Sequence, residues 1–154
     1  MRFASLLAVS WIGFCGITSF ASAEDAHTMV APNDIKWAPA PKMLPAGAEA
    51  SILFGDPSKE GLFALRLKLP SGYAIPPHTH PAYEVVTVIS GTSNLGMGEA
   101  ADRGATKALP AGSFFALPPG MAHYVYFDEE TVVQVTTNGP WGIKYVNPAD
   151  DPSN

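Results

Sequence analysis

Cysteine is almost absent from this chain: Cys15 stands alone among 154 residues. One thiol cannot form an internal disulfide, and Cys15 sits in an amino-terminal stretch expected to be removed. The mature chain would then have no thiolate to serve as nucleophile or metal ligand. Any metal centre has to be built from imidazole and carboxylate. Charge is scarce too, at 15% of residues, and its balance is acidic, with 9 Lys and Arg against 14 Asp and Glu. No basic cluster interrupts that balance, so the surface repels phosphate backbones and anionic lipid. Neither a nucleic-acid partner nor an anionic membrane surface is expected. A long amphipathic helical pattern is also missing. What is plentiful is apolar material, 47% of the chain, enough to bury the one core that a chain of this length supports.

The first residues read as a secretory signal peptide spanning 1–23. Met1 and Arg2 give a short positive start, Ser5 to Phe20 are largely apolar, and Ala21-Ser22-Ala23 offers a small-x-small cleavage site before Glu24 and Asp25. Cleavage after Ala23 removes Cys15 and Arg2 and leaves 8 basic residues against 14 acidic ones, a formal charge of −6. The alternative, an uncleaved anchor, is weakened by the short apolar run and by Ser10, Gly13, Gly16, Thr18 and Ser19 within it. Phe14 before Cys15 argues against lipid attachment at that sulfur. The protein is therefore expected to be exported, periplasmic or secreted, with no stable membrane anchor after cleavage.

Residues 24–50 form a Pro- and Ala-rich arm, interrupted by Pro32, Pro39, Pro41 and Pro45, with Ile35, Trp37, Met43 and Leu44 as apolar anchors. It either lies along the barrel or a partner, or is a loosely ordered leader. From 51 to 147 the signals are short strands divided by Gly and Pro. Phe63, Leu65, Leu67 and Leu69 alternate with Ala64, Arg66 and Lys68, the period of two of a half-buried strand. Further strands are predicted at Ile52–Phe54, Tyr83–Ser90, Asn94–Met97, Ser113–Leu117, His123–Phe127, Thr131–Thr137 and Trp141–Val146. Their spacing predicts an all-β sandwich or barrel. Residues 148–154 read as an acidic, fraying tail.

Of the four histidines, three fall inside this strand-rich stretch. His78-Thr79-His80 places two imidazoles at i and i+2, which on an extended strand share one face and can reach one ion. Glu84 keeps the same parity, although Pro81 bends the backbone between them. His123 follows a Pro119-Gly120 turn and opens a strand. Imidazole with one carboxylate suits a divalent transition metal, Fe, Mn, Zn, Ni, Co or Cu, rather than Ca or Mg. Spacing alone leaves open that the histidines are ordinary polar residues of a strand.

The glycines and prolines around these four residues carry a resemblance. Gly72, His78, His80, Glu84 and Gly91 match the spacing of the first cupin motif throughout. Gly112, Pro118, Gly120 and His123 resemble the second, except that Phe127 stands where the family usually has Asn. The resemblance covers Gly72 to Phe127. It implies a single-domain cupin-like jelly-roll β-barrel, or double-stranded β-helix. It also implies a site in which His78, His80, Glu84 and His123 hold one divalent transition metal, and a homodimer.

Alternation then sends Val125 and Phe127 inward with His123, and Val86 and Val88 inward with Glu84, making a dry, narrow pocket. Tyr124, Tyr126 and Asp128 are expected to face outward. Gln134 and Tyr83 have no fixed direction, and surface or packing roles are the simpler reading of both. The expected function is a metal-dependent enzyme of dioxygenase or isomerase type acting on a small organic substrate; the alternative is a non-catalytic metal- or ligand-binding or sensing barrel. No side chain can be assigned as a catalytic base, and the substrate-binding residues are not identified.

Overall fold

The computed structural model describes residues 27–154. The predicted signal segment and the first residues of the arm lie outside the described residues. Among the described residues, no helix is long and apolar enough to cross a membrane.

Among the described residues eleven strands follow one another, with one short 3-10 turn before them, one between β6 and β7 and one after them. They are β1 (Ala38–Pro39), β2 (Glu49–Phe54), β3 (Gly61–Leu69), β4 (Tyr73–Thr79), β5 (Glu84–Ser90) and β6 (Thr92–Met97), then β7 (Lys107–Pro110), β8 (Phe114–Leu117), β9 (His123–Phe127), β10 (Thr131–Gly139) and β11 (Lys144–Tyr145). A six-stranded sheet runs β1-β2-β3-β10-β5-β8 and packs against a five-stranded sheet ordered β11-β4-β9-β6-β7. All pairings are antiparallel. The all-β barrel expectation holds, and its architecture is the double-stranded β-helix.

Strand β3 follows its alternation: Phe63, Leu65, Leu67 and Leu69 are each at most 4% exposed, while Ala64, Arg66 and Lys68 are half-buried on the outer face. Val133 and Val135 of the neighbouring β10 join them from the same side. Burying four large aliphatic or aromatic side chains contributes about 1.5–3 kcal/mol each before chain entropy is charged against it. The arm meets this core. Leu44 and Ala48 are buried in it, Tyr145 donates its hydroxyl to the Met43 carbonyl at 2.7 Å, and Tyr73 donates to that of Pro45. Burial pushes both phenols above their usual range, so they remain donors. From Trp37 to Ala50 the arm is thus packed on the barrel, while residues 27–34 are exposed.

The structure departs from the sequence expectations in particular places. Strands β1, β4 and β7 carry no strand expectation in the sequence, and the strand expected over Trp141–Val146 is reduced to Lys144–Tyr145, its first residues forming a strap. The tail folds into a short turn. Asn147 accepts from the Ala149 N–H to cap the turn Pro148–Asp150, and the Asn154 side chain donates to the Pro148 carbonyl. Tyr124 sits on the outer face as expected but is only 1% exposed, because the loop after β6 covers it and accepts its hydroxyl at the Asp102 carbonyl.

Candidate metal centre

The four candidate ligands arrive from three strands in two sheets. His78 is in β4 and His80 follows it directly, His123 opens β9, and Glu84 opens β5 in the opposite sheet. Inward placement of His78 depends on a bulge. Ile75 pairs with Val125 and His78 with His123, so three steps along β4 match two along β9. Pro76 and Pro77 occupy that extra step, and lacking N–H groups they cannot continue the ladder. The bulge changes parity: Tyr73 and Ile75 face the core before it, His78 and His80 after it. All four motif glycines adopt positive φ, between +72° and +86°. Only Gly91 among these is also crowded, by Thr131 and the Glu130 carbonyl.

The side chains converge. Ring nitrogens of His78, His80 and His123 lie within 4.8 Å of one another. Glu84 Oε1 is 3.4 Å from His80 Nε2, and Oε2 is 3.2 Å from His123 Nε2. Exposure is 2% for His78, 6% for His80, 9% for Glu84 and 1% for His123.

Hydrogen bonds on the far side of each ring decide which nitrogen is available. The Nδ1–H of His78 donates to the Pro76 carbonyl at 2.7 Å, that of His80 to Gly142 at 2.8 Å, and that of His123 to Met121 at 3.1 Å. A carbonyl can only accept, so each Nδ1 carries a hydrogen and each ring turns its Nε2 edge toward the cluster. His80 Nε2 is buried with no hydrogen-bond partner, a condition costing about 1–3 kcal/mol for such a group. Burial, reinforced by neighbouring His123, lowers the His78 pKa from 6.5 to about 3, so this ring is neutral. Burial works to raise Glu84, but His123 beside it and the other imidazoles outweigh this and hold the carboxyl below its ordinary range. Three ring nitrogens are thus gathered close enough to hold one ion, with the Glu84 carboxylate beside two of them. The three histidines fit a divalent transition metal.

The wall behind the ligands is apolar. A cavity of about 30 Å³ touches His78, Glu84 and His123 and is otherwise lined mainly by aliphatic and aromatic side chains, including Val86, Val125 and Phe127. It has room for about one or two water molecules. Val86, Val125 and Phe127 are where alternation placed them, and Val88 is buried with them. Gln134 points outward, accepting from Arg66 Nε at 3.3 Å, and Tyr83 is 59% exposed, so neither enters the site. Two features escaped sequence reading. Ser93 brings a buried hydroxyl to the cavity lining, and the strap holds Trp141 parallel to His80, with ring centroids 6.5 Å apart and planes at 7°. Neither carries a local signal, since both depend on strands and loops distant in sequence.

Comparison with known proteins agrees with this architecture. The family model described as "Domain of unknown function (DUF4437)" matches residues 21–144. Germin-like protein 3-1 of Oryza sativa subsp. japonica is 35% identical over 81 residues, covering 52% of this chain and 36% of that protein. The chain thus spans about a third of the length of this curated relative. Among solved structures, a putative acetylacetone dioxygenase from Methylibium petroleiphilum is similar with a TM-score of 0.64 at 16% identity, covering 86% of this chain and 89% of the other. The polyketide cyclase RemF from Streptomyces resistomycificus gives 0.63 at 18% identity, covering 82% and 90%. At these identities the structures speak for the fold.

Proposed function

Because the chain belongs to the DUF4437 family, within the cupin superfamily, we propose that His78, His80, Glu84 and His123 together hold one divalent transition metal and that the protein is a metal-dependent enzyme acting on a small organic substrate. The observation that carries this reading is the direction of the imidazoles. Each donates Nδ1–H to a backbone carbonyl, so the Nε2 edges turn toward the cluster, where those of His80 and His123 lie 3.4 Å and 3.2 Å from the Glu84 carboxylate.

When bound, such an ion supplies Lewis acidity toward a carbonyl or enediol, or activates dioxygen. The chain's own residues supply the rest. Backbone carbonyls fix ring orientation, Glu84 contributes the negative charge, and Val86, Val125 and Phe127 exclude water and lower the local dielectric. Beyond the four ligands the lining offers Ser93 as its polar side chain and no further acid or base. Chemistry of dioxygenase or isomerase type, in which the metal is the principal reactive element, suits such a wall. Structural neighbours described as an acetylacetone dioxygenase and a polyketide cyclase support a small organic substrate. Export is part of the proposal and rests on the leader and the cysteine-free mature chain; amino-terminal sequencing that found Met1 intact would remove it.

Elemental analysis after purification from the native compartment tests the central claim. One transition metal per chain is expected, with loss of that metal in His78→Ala and His123→Ala variants that keep the wild-type far-UV circular dichroism. Wild-type protein that stays metal-free when supplied with these metals would overturn the reading. Retained metal but no turnover across oxygen-dependent and isomerase substrate panels would favour the binding or sensing barrel instead.

A further inference from the structure

We propose that Trp141 is a positioning residue for His80, acting with Gly142 as a strap that sets the direction of His80 Nε2. The inference rests on reading the four residues as a metal site. The three imidazoles are not held alike. His78 and His123 donate to carbonyls two residues earlier in their own segments, Pro76 and Met121, so local backbone orients them. His80 donates to Gly142, 62 residues further along, so its orientation is imposed by tertiary structure.

Two contacts from the strap define that orientation. The Gly142 carbonyl, 2.8 Å from Nδ1, fixes rotation within the ring plane, and the indole of Trp141, at 7° to the imidazole, fixes the plane itself. The strap is in turn pinned to the barrel. Trp141 donates its backbone N–H to the Pro57 carbonyl at 2.7 Å, and its indole packs on fully buried Phe63 at a centroid distance of 6.0 Å. His80 Nε2 has no hydrogen-bond partner on the cluster side, so the ring must be steered from its other edge. The indole N–H is itself buried without an acceptor. The ring face, not the donor, is therefore what Trp141 contributes, and a phenyl ring can replace it.

Trp141→Phe and Trp141→Leu test this, each checked for fold by circular dichroism. In metal-free wild-type protein, long-range 1H–15N NMR is expected to show His80 as a single Nδ1–H tautomer. Trp141→Leu is expected to mix tautomers, weaken Co(II) binding about tenfold and alter the Co(II) absorption bands, and Trp141→Phe to restore all three. A folded Trp141→Leu variant with wild-type tautomer, Co(II) affinity and spectrum would overturn the proposal. Should that variant not fold, Trp37→Phe leaves Trp141 as the tryptophan of the mature chain. Quenching of its emission by one equivalent of Co(II) then supports the placement, and unchanged emission overturns it. Wild-type protein that binds no Co(II) would sink the metal reading alone, since a tautomer response to Trp141→Leu would still support positioning.

Discussion

His78 carries the acid sensitivity of the metal-free protein. Its folded pKa of about 3 lies below the ordinary 6.5, chiefly through burial. As pH falls below 6.5 the unfolded chain takes up a proton that the folded chain refuses until about 3, so proton uptake favours unfolding across that window. The contribution is fully present above the ordinary value and is lost on acidification. Lowered Glu84 acts in the same sense, its contribution being lost as pH falls through its own depressed folded value. The melting temperature of chelator-treated protein should therefore fall between about pH 7 and about pH 4, with a shallower fall in His78→Asn. A flat profile in the wild type would contradict the buried, neutral His78. The identity of the four residues was legible because their spacing with the surrounding glycines is local. Their protonation was not, because it depends on carbonyls that the fold delivers.

Among the elements, β4 shows most plainly why strand reading stops where it does. Pro76 and Pro77 look like a strand terminator, yet here they form the bulge that turns His78 and His80 inward. Glu84 reaches the site for a reason other than parity, since its strand belongs to the opposite sheet. By contrast β3 was legible throughout, because one face is buried and one wet along its whole length. The pairing of β6 with β9 supplies a test. Gly96 lies under the ring of Tyr124, so that a Cβ there would overlap the ring, and Tyr124 is itself covered by the loop that accepts its hydroxyl. Gly96→Ala should destabilise the protein by about 1–3 kcal/mol, read as a lower denaturation midpoint. Metal affinity should be retained, because Tyr124 faces away from the ligands. An unchanged midpoint would mean that Tyr124 does not pack as described.

At the scale of the molecule, the outer face of the six-stranded sheet carries exposed apolar side chains around polar ones such as Arg66, Lys68 and Gln134. Phe54, Leu62 and Phe114 are 46%, 55% and 62% exposed there, and Ile89 lies on the same face at 41%. In an acidic chain with few charges overall, these exposed side chains support a proposal of the homodimer that the motif resemblance implies, whose contacts would cover them. Light scattering at micromolar concentration is expected to give twice the mass of the mature chain, and Phe54→Asp with Phe114→Asp to return it to the mass of one. A wild-type mass of one chain would remove the dimer from the proposal.

The sequence by itself determined the β class and the inward faces of β3, β5 and β9, and its motif resemblance picked out the four candidate residues, because alternation and short glycine-bounded spacings are properties of neighbouring residues. Only tertiary structure decided that Glu84 meets the histidines from the other sheet, that two prolines set the parity of His78, that Tyr124 is covered, and that His80 takes its orientation from Trp141 and Gly142. Each of these joins residues distant in the chain or turns on a shift in strand register, and neither leaves a periodic trace along the sequence.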